Sequence, residues 1–248
     1  MNNPNISIID AIDDPNLFHP WFKNPESWQA WRVFLSALFA LPMERQQAKI
    51  FRECTNRKRP PAAPVQEGWM IIGRRGGKSF ISALTAVYLA CFGDYEKYLT
   101  PGETGVIMVI CPDRKQARVC MRYISALMNN VALLRPLIAK EMIEGIELTN
   151  RISIEVHTAS FRTVRGYTVA AAILDELAFF PSEDSASPDD EILAAIRPSM
   201  ATIPGSLLLC LSSPYARKGA LWTAYREHFG KEKVDVLVWQ APSWAVTR

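Results

Sequence analysis

An α/β fold, with a central, mainly parallel sheet flanked by helices, is what this 248-residue sequence predicts, and three observations predict it. Short apolar runs alternate with helical patterns, which is the signature of parallel strands joined by crossover helices. One such run, WMII, leads into the glycine-rich turn GRRGGKS and then into a helical pattern, the context that a phosphate-binding loop requires. Another, AAAILDEL, ends in Asp175-Glu176 and delivers two carboxylates to the sheet edge where ligands of open α/β folds bind.

Taken in chain order, residues 1–60 read as a helical lead-in, with aromatic and aliphatic residues at helix-face spacing in SWQAWRVFLSALFAL, closed by the basic, proline-rich link RKRPPAAP. Residues 61–248 read as the core. Strands are expected at 69–72, 106–111, 170–175, 207–212 and 234–239, each apolar enough to be covered on both faces. IELTNRISIEV alternates on either side of Thr149-Asn150 and predicts an antiparallel hairpin at the sheet's edge. Ser187-Pro188-Asp189-Asp190 supplies a cap, a first-turn proline and first-turn carboxylates to the helix EILAAI, a better use of those acids than a metal site.

An apolar fraction of 49% allows one sizeable core, or a core and a small subdomain, without disulfides or metal. The net charge of +3 is too small to identify a nucleic-acid partner, so any DNA surface has to be local. The five cysteines, at 54, 91, 111, 120 and 210, form no CxxC pair and suit reduced, buried thiols in a cytosolic protein. The N-terminus lacks a basic region ahead of an apolar core. The longest apolar stretches, 33–41 and 81–92, fall short of a membrane span, so neither secretion nor membrane insertion is expected.

In the phosphate loop, glycines at 73, 76 and 77 can turn successive N–H groups toward an anion, and the following helix N-terminus adds positive potential. Lys78 is the candidate contact for the β and γ phosphates, and Ser79 the hydroxyl ligand of Mg²⁺. The general pattern GxxxxGK[ST] asks for glycine at 72, where this chain has Ile. Arg74 and Arg75 set extra positive charge in the loop; either one neutralises γ-phosphate charge, or they point outward and pair with surface acids. Asp175 is placed to hold Mg²⁺ through its water shell, and Glu176 to orient and deprotonate an attacking water, a base that a non-hydrolysing switch does not need.

Several features stay outside this site. His19, His157 and His228 lack metal-ligand spacing. Arg57-Lys58-Arg59 either touches DNA phosphates or forms a solvated loop. In DRKQARVCMRYISALM, residues Arg114, Lys115, Arg118 and Arg122 can share a helix face, which makes this helix the better DNA candidate or else the polar side of a packed helix.

GRRGGKS, the ILDE strand and LLLCLSSP together resemble the ATPase domain of the large terminase subunits of tailed bacteriophages, and most of the chain takes part. The resemblance implies a P-loop NTPase of the additional-strand, RecA- and helicase-like type, using Mg²⁺ with ATP as substrate. It matches Arg74 to the family's arginine four residues before the lysine, so Ile72 departs from the general pattern but not from the family variant. FRTVRGY resembles the arginine-glycine stretch before the acidic strand, which makes Arg165 the candidate finger on a neighbouring subunit's ATP; Arg162 competes with it, and both can instead be surface or DNA-facing residues. Ser212 and Ser213 match the coupling motif, or simply cap a turn. Gln29, beside Trp28 and Trp31, resembles the adenine-reading glutamine of helicase-like ATPases, or is an exposed polar residue of an amphipathic helix.

The function so implied is ATP hydrolysis that drives double-stranded DNA into a procapsid. The implied partners are that DNA, the portal protein, the small terminase subunit and copies of the chain in a ring, a pentamer when assembled, with the domain alone monomeric as an alternative. The implied location is the host cytoplasm, at the portal vertex of the procapsid, with no membrane involved. A helicase-like remodelling ATPase and a non-hydrolysing nucleotide-dependent assembly module are the alternatives. Large terminases also carry a C-terminal nuclease. After Ser212 this chain offers only Glu227, Glu232 and Asp235 as acids, so no nuclease site is expected and the chain reads as a motor domain without that half.

Overall fold

The computed structural model describes residues 6–159, 166–181, 187–232 and 235–242. Its centre is an eight-stranded sheet of β1 (Glu67–Ile72), β2 (Gly105–Cys111), β3 (Ile138–Met142), β4 (Gly145–Leu148), β5 (Ile152–Thr158), β6 (Thr168–Asp175), β7 (Leu207–Ser212) and β8 (Val236–Ala241). The spatial order is β3-β4-β5-β2-β6-β7-β1-β8. From β5 to β8 every pairing is parallel, and only β3-β4 and β4-β5 are antiparallel. The fold class is therefore the one expected. β1, which leads into the phosphate loop, and β6, which ends in the acids, are not neighbours, because β7 pairs with both and stands between them. This is the additional-strand arrangement.

Two expectations are corrected, and one strand was not foreseen. The last strand runs two residues later than 234–239, because its register is set by β1, from Glu67↔Val236 to Ile72↔Ala241; Val234 itself lies outside the described residues. The hairpin β4-β5 forms, yet β5 is no edge addition, since it pairs in parallel with β2 from Gly105↔Ile152 to Cys111↔Thr158. The edge is β3, whose residues after Ile138 are exposed, so its sequence carries no apolar alternation to announce it.

The period-two alternation of the strands divides the core. Met70 and Ile72 face one side with α1 (Ile8–Asp13), α2 (Gln29–Leu38), α3 (Arg45–Thr55), α4 (Lys78–Phe92) and α5 (Arg114–Asn130). Trp69 and Ile71 face the other, with α6 (Pro188–Met200) and α7 (Gly219–His228). The run SWQAWRVFLSALFAL splits, because Pro25–Trp28 forms a 3-10 turn and the α-helix starts only at Gln29. Helix α4 is buried nearly all round, which matches its unbroken apolar sequence. None of the described helices is long and apolar enough to cross a membrane.

Two charged residues serve the fold. Arg57 is 3% exposed and its guanidinium donates to the Val236 carbonyl, so at this residue the basic link is buried rather than solvated. Asp189 lies in the first turn of α6 as expected, but its Oδ2 also accepts the Ala220 N–H at 2.7 Å and so caps α7. Gly219 permits this approach: it has φ +76°, and a Cβ there would lie 2.4 Å from Asp189 Oδ2. Asp189→Ala is expected to cost about 1–2 kcal/mol, the loss of a charged helix cap. A lowered thermal midpoint with unchanged nucleotide affinity checks this.

Candidate functional site

Residues 73–77 join β1 to α4 at the C-terminal end of the sheet. Only two of them take the left-handed conformation, Arg75 (φ 62°) and Gly77 (φ 82°). The freedom expected of Gly73 and Gly76 is thus not used for positive φ, and the second turning position belongs to an arginine. Gly76 is instead a contact point, since its carbonyl accepts the Trp31 indole N–H at 2.9 Å. A Cβ on Gly77 would lie 3.2 Å from the Trp28 ring. The two tryptophans of the lead-in therefore brace the loop from behind.

Lys78, 5% exposed, is the most heavily bonded residue of the loop. Its Nζ donates to the carbonyls of Ile72 and Gly73, both at 3.1 Å, and to Ser213 Oγ at 3.0 Å, and it forms an ion pair with Glu176 Oε1 at 3.2 Å. The unexpected Ile72 thus contributes through its backbone, where any side chain would serve.

Glu176 follows β6 in the left-handed region, at φ 54° and ψ 43°, a conformation that non-glycine residues adopt at a cost and that clusters at functional sites. Its Oε2 accepts the Ser213 backbone N–H at 2.9 Å and the Ser212 hydroxyl at 3.4 Å, and its Oε1 accepts the Ser213 hydroxyl at 3.2 Å. Ser212 Oγ also accepts the Ala178 N–H at 3.2 Å, so it caps the turn after β6 while touching the acid.

Asp175 is fully buried. Its Oδ2 accepts from Ser79 Oγ at 2.8 Å, from Gln116 Nε2 at 2.8 Å and from Cys120 Sγ at 3.5 Å. Burial pushes its carboxyl above the usual carboxylate range; the bonds from Gln116 and Ser79 oppose that rise, and the neighbouring Glu176 charge adds to it. Its Oδ1 is buried with no hydrogen-bond partner. A buried carboxylate oxygen without a donor, next to a serine hydroxyl, suits a hard divalent cation such as Mg²⁺.

Sequence reasoning missed Gln116. Asp113 caps α5 by accepting the Gln116 N–H at 2.8 Å, which turns the glutamine back over the end of β2, next to β6. Its Nε2 then reaches Ser79 Oγ at 2.7 Å as well as Asp175, so one amide bridges both candidate cation ligands. The only signal was an Asp cap after an apolar strand.

The remaining candidates lie around this centre. Arg74 is exposed, its guanidinium carbon 6.0 Å from the centroid of the Phe179 ring just beyond Glu176. Arg75 is exposed and forms no ion pair among the described residues, so the expected pairing with surface acids is not found. Gln29 opens α2 in a cavity of about 830 Å³ with Trp28, Arg32 and Glu53; no residue of the phosphate loop lines that cavity, although Trp28 touches both. Arg165 and Arg162 lie outside the described residues. His157 pairs with Glu155, and Glu232 accepts the Lys58 N–H, uses remote from the loop. Arg114, Lys115, Arg118 and Arg122 are all exposed on α5, and none has an ion pair among the described residues.

No family model and no curated protein sequence matches the chain. Solved structures do. The large-terminase ATPase domain of Thermus phage P74-26 is 17% identical, with a TM-score of 0.55, and the match covers 86% of each chain. A point mutant of that domain matches equally over 86% of each chain at 16% identity and a TM-score of 0.55. The large terminase of bacteriophage HK97 is 18% identical with a TM-score of 0.53, over 79% of this chain and 40% of that one. The fold is that of large-terminase ATPase domains, in agreement with the resemblance seen in the sequence.

Proposed function

We propose that the chain is a Mg²⁺-dependent ATPase that drives double-stranded DNA into a viral procapsid, the motor domain of a packaging terminase. The observation that carries this reading is the meeting of Lys78, Ser79, Asp175 and Glu176 at the ends of β1 and β6, with Ser213, just after the intervening β7, touching two of them. ATP's β and γ phosphates are taken by the loop N–H groups and Lys78. Ser79 Oγ and Asp175 would hold Mg²⁺, which when bound would neutralise charge developing on the phosphate oxygens.

Glu176 is the base that takes the proton of the attacking water at a carboxylate oxygen. Both of its oxygens are engaged, by Lys78 and by the two serines. The γ-phosphate competes with Glu176 for Lys78, so arrival of the substrate frees Oε1 for water. Ser213 bonds to Lys78 and Glu176 alike, so it registers that exchange and passes it to β7 and the segment beyond, the coupling role assigned to Ser212 and Ser213. Arg74 adds charge at the mouth of the loop. An arginine finger from a neighbouring copy, Arg165 or Arg162, and a pentameric ring with portal and small-subunit partners belong to the same reading, as do adenine recognition by Gln29 and work at the portal vertex in the host cytoplasm.

Gln116 orients the two cation ligands. Gln116→Leu is expected to raise the Mg²⁺ concentration needed for nucleotide binding about 10–100-fold, the usual effect of losing a group that orients metal ligands. A fluorescent-nucleotide titration at varied Mg²⁺ reads this shift.

The DNA part rests on the basic face of α5, exposed and without ion pairs among the described residues. Arg114, Arg118 and Arg122 recur four residues apart and therefore line one stripe. Duplex DNA is expected to stimulate phosphate release from Mg-ATP, with an effect that declines steeply as salt rises. Turnover and binding both indifferent to duplex DNA would sink this assignment.

A further inference from the structure

Cys111, the last residue of β2, and Cys120, in the second turn of α5, are fully buried, and both thiols are free. Their sulfurs are 3.5 Å apart, and Cys120 Sγ is 3.5 Å from Asp175 Oδ2. One ligand atom from each of the three residues lies within 4.8 Å of the others, the only such grouping of metal-ligating side chains among the described residues.

We infer that these three side chains form a seat for a thiophilic divalent cation, of the class of Zn²⁺ or Cd²⁺, which takes Asp175 away from Mg²⁺. Two of the three ligand separations match a tetrahedral site. Bonds of about 2.3 Å to sulfur and about 2.0 Å to oxygen put two sulfurs about 3.8 Å apart and a sulfur and an oxygen about 3.5 Å apart. The Cys111–Cys120 and Cys120–Asp175 separations already stand within a few tenths of an ångström of that geometry, and the third pair lies within 4.8 Å. Three protein ligands leave a fourth position for water. Thiolates favour soft cations over Mg²⁺, which selects the ion class. Coordination releases the thiol protons to water.

The two cation positions share one carboxylate, and the sulfur side meets the Oδ2 that Ser79 and Gln116 hold, so a soft cation here competes with those two residues for Asp175 and turns the carboxylate toward the sulfurs. Two sulfurs from the end of β2 and from α5 thereby gain control of the acid on β6. The inhibitory consequence rests on the proposed ATPase reading; the seat itself does not.

The test titrates the whole reduced chain, under a phosphine reductant, with Cd²⁺ while following the ultraviolet thiolate-to-cadmium charge-transfer band. The same titration is run on Cys111→Ala and Cys120→Ser, each checked for folding by circular dichroism, so one folded variant suffices. A band that saturates at one ion per chain and is lost in the variant is expected. No band, or a band of equal strength in a folded variant, in which Cys54, Cys91 and Cys210 remain, overturns the seat. Phosphate release is measured in parallel, each protein against its own rate in Mg-ATP alone. Cd²⁺ inhibition of the parent that disappears in the variant supports the shared carboxylate. A saturating band without inhibition of an active parent keeps the seat and removes its hold on Asp175. A chain that binds Cd²⁺ but never hydrolyses ATP counts against the ATPase reading and not against the seat.

Discussion

Glu176→Gln is expected to lower turnover about 10²–10⁴-fold, the usual contribution of a positioned general base, while ATP still binds. The amide keeps the size of the side chain and can still accept from the Ser213 N–H, which now meets Oε2 at 2.9 Å, so the turn after β6 has no cause to collapse. What disappears is the site that receives the water's proton. The 3.2 Å ion pair with Lys78 disappears too, and it competes with the phosphate for the same ammonium. ATP affinity is therefore expected to hold or to rise. Binding by equilibrium titration and turnover by phosphate release separate the two effects; a variant that hydrolyses at the parent rate refutes the role of Glu176.

Lys78→Ala is expected to weaken nucleotide binding roughly 10–150-fold, corresponding to about 1.5–3 kcal/mol for hydrogen bonds made by a charged group, and to abolish turnover with it. This change does more than delete a phosphate contact. The side chain is buried and gives its protons to Ile72, Gly73 and Ser213 as well as meeting Glu176, so the alanine leaves two carbonyls and a partly buried carboxylate without their cation. A drop in thermal stability is expected to accompany the loss of affinity. Undiminished affinity would mean that the loop binds its anion through the backbone alone.

Both variants also probe the contacts of Glu176, whose two oxygens are engaged by Lys78 and the two serines while its backbone is left-handed. In the proposed reading a phosphate that competes for Lys78 releases the carboxylate to act on water.

How far the sequence announced this site depends on whether each group is placed by local or by distant neighbours. The loop was legible because a strand, glycines, Lys-Ser and a helix follow one another in the chain, and the Asp-Glu pair because an apolar strand ends on it. Which loop residues turn left-handed was not, since the loop is packed against Trp28 and Trp31 of the lead-in, some 45 residues earlier in the chain (Trp31 to Gly76). Gln116 was invisible as one polar residue among several in a helix's first turn, and only the adjacency of β2 and β6 gives it meaning. Cys111 and Cys120 are nine residues apart with no recognisable motif, yet the strand-to-helix reversal brings their sulfurs together. Arg57 looked like loop charge and is a buried donor, because β8 returns from the far end of the chain to accept its bond. Edge strand β3 escaped because exposed strands carry no apolar pattern.

Steady-state phosphate release from Mg-ATP by the purified chain, measured over a range of protein concentrations with and without duplex DNA, tests the central claim most directly. The account predicts Mg²⁺-dependent turnover that is absent from Glu176→Gln and rises per chain as copies associate. ATP that binds at Lys78 with no phosphate release at any concentration, or release that persists undiminished in Glu176→Gln, would contradict it.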